Sequence, residues 1–84
     1  MDKLMQEIGE KITRTRKKIG MSQEELAFMA GLSRKTMHNI ENGKTRVHVI
    51  TIQKIIGVLN LSLEDFFSGF CEIEEDIYEQ EENK

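Results

Sequence analysis

The sequence predicts an all-α protein, a compact bundle of five short helices followed by an acidic C-terminal tail. Its 84 residues contain no proline and only six glycines, a composition that favours helix over a turn-rich β fold. The length allows one hydrophobic core, because globular domains usually contain about 100 to 150 residues. The apolar residues recur at helical spacing between residues that typically begin or end helices.

The first two helices are predicted from apolar periodicity and capping residues. The first has one apolar face and ends at Gly20; this face contains Leu4, Ile8, Ile12 and Ile19. Ser22 and Glu25 have the spacing of a capping box, which begins the second helix. That helix ends at Gly31, and its apolar residues are Leu26, Ala27, Met29 and Ala30.

Three more helices follow. Ser33 caps a third helix in which Met37 and Ile40 face inward, and Asn42-Gly43 closes it. After a loop at 44–48, a fourth apolar face comprises Val49, Ile52, Ile55, Ile56 and Leu59. Its β-branched residues and Gly57 lower its helix propensity, so packing must decide whether this helix forms. Ser62 caps a short fifth helix, whose Phe66 and Phe67 close the core.

Composition and spacing exclude several classes of protein. The single cysteine forms neither an internal disulfide nor a thiolate zinc site, and His38 and His48 lack further ligands at metal-binding spacing. No apolar run reaches the ~20 residues of a membrane helix, and residues 1–20 contain no secretory segment, so a cytoplasmic protein is expected. Without a glycine-rich phosphate loop or a nucleophile beside a base, we expect no enzyme, cofactor or metal.

The second and third helices are separated by about three residues, which is typical of a helix-turn-helix. The outer face of the third helix carries side chains that can hydrogen-bond base edges: Arg34, Lys35, His38 and Asn39. The alternative is an ordinary solvated face of a helical bundle.

Four runs in order resemble the Cro and phage-repressor family of helix-turn-helix regulators, also called the XRE family, over about residues 5–68. They are Ser22-Gln23-Glu24-Glu25-Leu26-Ala27, Gly31-Leu32-Ser33, Ile40-Glu41-Asn42-Gly43-Lys44 and Leu61-Ser62-Leu63-Glu64-Asp65-Phe66-Phe67. The resemblance implies a lambda-repressor-like DNA-binding domain. The chain departs from the family at Val47-His48, where many members have Pro-Ser.

The resemblance also implies a role for each matching residue. Arg34, Lys35 and Asn39, together with His38, match base-reading positions on a recognition helix at 33–42. The residues that match phosphate contacts are Gln23, Ser33, Asn42, Lys44 and Arg46. Arg16 and Glu41 match a pair that joins the first helix to the third in several members. The family usually binds a pseudo-palindrome as a homodimer, with its two recognition helices about 34 Å apart.

We hypothesise that the dimer contact lies where the fourth helix leads into the fifth. It would use Phe66, Phe67 and Phe70, with Ile73 and Ile77 as further contributors. The alternative is that the adjacent phenylalanines belong to the core.

Charge divides the chain into two parts. Residues 1–68, the predicted DNA-binding domain, contain eleven lysines and arginines against eight acids. Residues 69–84 contain seven acids against one lysine. This acidic tail is expected to be disordered or marginally helical, and it either solubilises the chain, binds a protein partner or the second subunit, or competes with DNA for the basic surface.

We therefore predict a bacterial or phage transcriptional regulator that binds double-stranded DNA in a sequence-specific manner as a homodimer, and that represses or activates from an operator. The alternative is an antitoxin or another interaction module that binds a partner protein through residues 69–84.

Overall fold

The computed structural model describes residues 3–68, which form five α-helices. They are α1 (Lys3–Ile19), α2 (Gln23–Ala30), α3 (Arg34–Glu41), α4 (Val49–Val58) and α5 (Leu63–Phe67). No residue in this range lies in a strand, so the prediction of an all-α fold with five helices is confirmed. Phe70, Ile73, Ile77 and the rest of the acidic tail lie outside the described residues. None of the five helices is long and apolar enough to cross a bilayer.

Serine side chains begin three of the helices. The hydroxyls of Ser22, Ser33 and Ser62 each accept a hydrogen bond of 3.0 Å from the backbone N–H three residues further on. The Glu25 carboxylate accepts the reciprocal bond from the Ser22 N–H at 2.9 Å, so the capping box is present. Each such cap stabilises its helix by about 1 kcal/mol. His48 stands at the N-cap of α4, and its side chain forms no capping hydrogen bond.

Gly31 turns the chain from α2 into α3. It adopts a left-handed conformation with φ 73°, which glycine tolerates far better than residues with a Cβ atom. Its N–H donates to the Phe28 carbonyl at 3.2 Å, and the Leu32 N–H donates to the Ala27 carbonyl at 2.8 Å. These bonds end α2 and leave three residues between α2 and α3, as the sequence predicts.

The core lies between the helices and draws on all five. Helix α3 packs against α1 and α2, α2 also packs against α4, and α4 packs against α5. The buried apolar residues are Ile8, Ile12, Leu26, Ala27, Ala30, Met37, Ile40, Ile52, Ile55, Ile56, Leu59 and Phe66. Burial of the α4 isoleucines offsets the low helix propensity of that segment, because each buried side chain contributes about 1.5–3 kcal/mol.

Three residues predicted on apolar inner faces are exposed instead. Ile19 is 52% exposed, Met29 60% and Val49 63%. All three lie in the first or last turn of their helices, and Met29 lies on the side of α2 opposite Ala27. The neighbouring Phe28 is 85% exposed, so the outer face of α2 is more apolar than the sequence pattern predicts.

Phe66 belongs to the core, which corrects its assignment to a dimer contact. Its side chain is completely buried within one chain and therefore offers no surface to a second copy. The half-buried Phe67 ring packs edge-on against it, with ring centroids 5.0 Å apart. Lys11 on α1 covers the same end of the core, with its ammonium 5.6 Å from the Phe66 ring centroid and 3.3 Å from the Asp65 carbonyl oxygen.

Candidate nucleic-acid interface

The two faces of α3 differ in chemistry. Met37 and Ile40 point into the core, whereas Arg34, Lys35 and His38 are exposed. Asn39 is half-buried at the edge of the exposed face. The four side chains predicted to read bases therefore lie within two turns of helix and are accessible to a ligand.

The buried carboxylate of Glu41 joins the first three helices. Its Oε2 accepts a hydrogen bond from Arg16 Nε at 2.8 Å, and its Oε1 accepts one from Arg16 Nη2 at 3.1 Å. The same Oε1 accepts bonds of 3.0 Å from Gln23 Nε2 and from the Thr13 hydroxyl. The Arg16 and Glu41 side chains are only 10% and 4% exposed. One carboxylate on α3 thus fixes this helix against α1 and α2.

The partners of Glu41 determine its charge. Burial by itself would raise the pKa of Glu41, but the hydrogen bonds from Arg16, Gln23 and Thr13, together with the Arg16 charge, outweigh this effect and hold the pKa below its ordinary value. Each nitrogen of Arg16 has a partner in turn, because its Nη1 donates to the Met21 carbonyl at 2.9 Å. Its guanidinium therefore positions α3 and has no nitrogen left without a protein partner.

Two of the predicted phosphate-binding side chains stand at helix starts. Gln23 donates one of its two amide hydrogens to Glu41, so the other can bind a ligand. The Ser33 hydroxyl accepts from the Thr36 N–H and donates to the Thr36 hydroxyl at 2.9 Å. Ser33 can therefore donate to a phosphate only if its hydroxyl rotates and breaks its hydrogen bond to the Thr36 hydroxyl.

The other three predicted phosphate-binding residues follow α3. The Asn42 amide nitrogen donates to the His38 carbonyl at 2.7 Å and lies 3.4 Å from both ring nitrogens of His38. Lys44 and Arg46 are exposed, and neither forms an ion pair with a carboxylate in residues 3–68. Val47 packs against the core and anchors the loop that presents these two cations.

Two threonines in this region were missed at the level of sequence. Thr13 donates to Glu41 across 28 positions of the chain, a contact for which no sequence pattern gives a signal. Thr36 is exposed on the first turn of α3 next to Lys35, and this position in the sequence could have identified it. Residues 3–68 contain no group of three histidine, cysteine or acidic side chains arranged to hold a metal ion.

Comparison with known proteins gives consistent results. The helix-turn-helix family model matches residues 12–66. The HTH-type transcriptional regulator PuuR of Escherichia coli (strain K12) is 35% identical over 60 residues, which cover 71% of this chain. The chain spans about a third of the length of PuuR, since the match covers 32% of that protein. The control protein C.MunI of a Mycoplasma sp is 38% identical over 61 residues, which cover 71% of this chain and 82% of C.MunI.

Solved structures of restriction-modification controller proteins have the same fold. C.AhdI from Aeromonas hydrophila superposes with a TM-score of 0.72 at 30% identity, over 75% of this chain and 96% of C.AhdI. Wild-type C.Esp1396I superposes with a TM-score of 0.78 at 25% identity, over 86% of this chain and 95% of C.Esp1396I. All four proteins are regulators or controllers by name, and none is named as an enzyme.

Proposed function

Because this chain belongs to the helix-turn-helix family of transcription regulators, of the Cro and phage-repressor type, we propose that it reads an operator as a homodimer. In this proposal, the recognition helix at 33–42 lies in the major groove of double-stranded DNA. Residues 1–68 form the DNA-binding domain, and residues 69–84 form a separate acidic segment. Such a regulator acts where the DNA is, in the bacterial cytoplasm.

The observation that carries the proposal is a polar helix face whose helix is held in place by buried side chains on its opposite side. Helix α3 exposes Arg34, Lys35 and His38 while its opposite side is held by buried Met37, Ile40 and Glu41. An arginine or lysine can donate to guanine O6 and N7, and Asn39 can pair with adenine through two hydrogen bonds. Base reading requires these groups at fixed positions, and the Glu41 network supplies that constraint.

Phosphate contacts give affinity and register in this account. We assign most of the affinity to Lys44 and Arg46, because both are exposed and neither has a carboxylate partner in residues 3–68. Gln23 adds a neutral contact through its remaining amide hydrogen, and Ser33 and Asn42 add contacts that require their present hydrogen bonds to rearrange. This ranking follows from the hydrogen-bond partners of each side chain.

A dimer supplies the length of sequence that one short helix cannot read. We propose that its contact involves Phe67 and Phe70, with Phe66 supporting them from the core. The partial exposure of Phe67 and its position at the end of α5 favour this assignment. Two α3 helices about 34 Å apart then meet successive major grooves on one side of the duplex.

Two alanine substitutions separate base reading from phosphate binding. Arg34→Ala is expected to weaken binding to the operator by about 1–3 kcal/mol while leaving binding to unrelated duplexes nearly unchanged. Lys44→Ala is expected to weaken binding to every duplex by a similar factor. It is also expected to reduce the salt dependence of the affinity by the amount that corresponds to about one phosphate contact. Fluorescence anisotropy on a selected duplex and a scrambled duplex, at several salt concentrations, measures both effects.

Lys54→Ala is the matched control, because Lys54 is an exposed lysine on α4 and its removal makes the same change in net charge. We expect it to change affinity much less than Lys44→Ala. Equal losses for Lys44→Ala and Lys54→Ala, or an Arg34→Ala loss of the same size on both duplexes, would contradict the proposed interface.

A further inference from the structure

Most of the positive charge of the described residues lies on α1. Residues 3–68 contain eleven lysines and arginines against seven acids, and α1 alone contains six of these cations against two acids. Glu41 neutralises Arg16, but Arg14, Lys17 and Lys18 are exposed and form no ion pair with a carboxylate in residues 3–68. The helix thus carries a net positive charge, and these three cations face solvent.

The spacing of these cations creates a basic face. Lys11, Arg14 and Lys18 are three, four and seven positions apart, which places them on one side of the helix, where Glu7 also lies four positions before Lys11. We call these three residues the α1 basic face. Lys11 and Lys18 are ~10 Å apart along the helix axis, from a rise of 1.5 Å per residue.

The chain leaves the described domain beside this face. The Lys11 ammonium lies 3.3 Å from the carbonyl oxygen of Asp65 in α5, and α5 ends at Phe67. Acidic residues begin at Glu72, four positions after Ser68, and four extended residues span up to ~14 Å. The acids that follow are therefore within reach of Arg14 and Lys18.

We propose that residues 72–82 of this chain dock on the α1 basic face and compete there with DNA phosphates. This segment contains seven acids and no basic residue, so its charge complements the face. Attachment to the same chain gives such a segment an effective concentration in the millimolar range, which favours docking over binding by a free acidic peptide.

The position of Arg14 connects docking to DNA binding. Arg14 lines one surface groove together with Glu10, Thr13, Glu41 and Asn42, and we assign Asn42 to a phosphate contact. An acidic segment on the α1 basic face then removes a cation from the edge of the DNA interface while leaving the outer side of α3 open. It lowers affinity for all DNA through phosphate competition, and base contacts restore affinity at the operator alone.

A full-length variant in which the seven acids of residues 72–82 become amides tests the proposal. Without DNA, we expect its backbone amide NMR shifts to differ from the wild type at Lys11, Arg14 and Lys18 and at their neighbours on α1. Salt is expected to produce the same shifts in the wild type, since it screens exposed charges over about 10 Å at 0.1 M. Unchanged α1 shifts would overturn the docking.

Affinity for an unrelated duplex provides the second measurement. It tests the effect of docking on DNA binding, which rests on the proposed function. The amide variant is expected to bind this duplex about tenfold more tightly at low salt. In an Arg14→Gln/Lys18→Gln background, the same change is expected to increase the affinity much less, because the α1 basic face has lost two of its three cations. An equal gain in both backgrounds would show simple charge repulsion and overturn the proposal. Because the NMR measurement needs no DNA, it distinguishes a failure of docking from a failure of the proposed function.

Discussion

Replacing Glu41 with alanine is expected to lower the free energy of unfolding by about 3–5 kcal/mol. The substitution leaves the buried Arg16 guanidinium without its carboxylate and deprives Gln23 and Thr13 of their acceptor. A domain of this size is usually stable by only about 5–10 kcal/mol, so the variant is expected to lose about half of its stability. Urea denaturation at pH 7 measures the loss.

Two further variants separate the stability contributed by the Glu41 network from the general effect of removing an acid. Glu41→Gln keeps the size of the side chain and one acceptor oxygen, and we expect it to lose less stability than Glu41→Ala. Glu24→Ala removes an exposed carboxylate from the first turn of α2 and is expected to cost at most about 1 kcal/mol. Similar losses for Glu24→Ala and Glu41→Ala would contradict the role given to the network.

The ionisation of Glu41 adds a dependence on pH. Because its pKa in the folded protein lies below the ordinary value of 4.5, its charge contributes stability above that value, and the contribution is lost as the pH falls through the folded pKa. Glu41→Gln lacks this contribution at every pH. The stability difference between the wild type and Glu41→Gln is therefore expected to narrow as the pH falls below about 4.5.

Gly9→Ala is expected to have the second large effect, because the backbone of α3 lies very close to α1 there. A Cβ atom at Gly9 would come within 3 Å of the backbone carbonyl oxygens of Ile40 and Glu41. Backbone cannot rotate away as a side chain can, so the two helices must separate. We expect a loss of about 3 kcal/mol or more, and weaker operator binding because α3 is displaced.

Gly57→Ala is the matched control, since Gly57 is also a helical glycine. Nothing lies within 4 Å of a Cβ atom placed there, and alanine has a helix propensity about 1 kcal/mol better than glycine. Alanine is therefore expected to stabilise the protein at position 57 and to destabilise it at position 9. Urea denaturation of both variants measures the two signs, and a stable Gly9→Ala protein would contradict the close approach of α1 and α3.

Local signals predicted most of this fold. Ser22, Ser33 and Gly31 act through backbone groups a few positions away, so their roles can be derived from spacing alone. Helical periodicity also identified most core residues. It failed at Ile19, Met29 and Val49, which lie in the first or last turn of their helices, because periodicity does not show where neighbouring helices stop covering a helix.

The candidate site was less accessible to sequence reasoning. The outer face of α3 follows from its inner face, since Met37 and Ile40 fix how the helix is rotated. The Arg16–Glu41 pair came from the family resemblance alone. The contacts of Thr13 and Gln23 with Glu41, and the close approach at Gly9, depend on how three helices meet in space. No pattern within one helix contains that information.

Selection of bound sequences from random duplex DNA by the wild-type protein tests the central claim most directly. Two α3 helices related by two-fold symmetry predict an enriched pseudo-palindrome with half-site centres about 10 base pairs apart. They also predict guanine or adenine at the positions that Arg34, Lys35 and Asn39 would contact. Recovery of no motif, or of a single half-site without a two-fold partner, would contradict a dimer that reads an operator through α3.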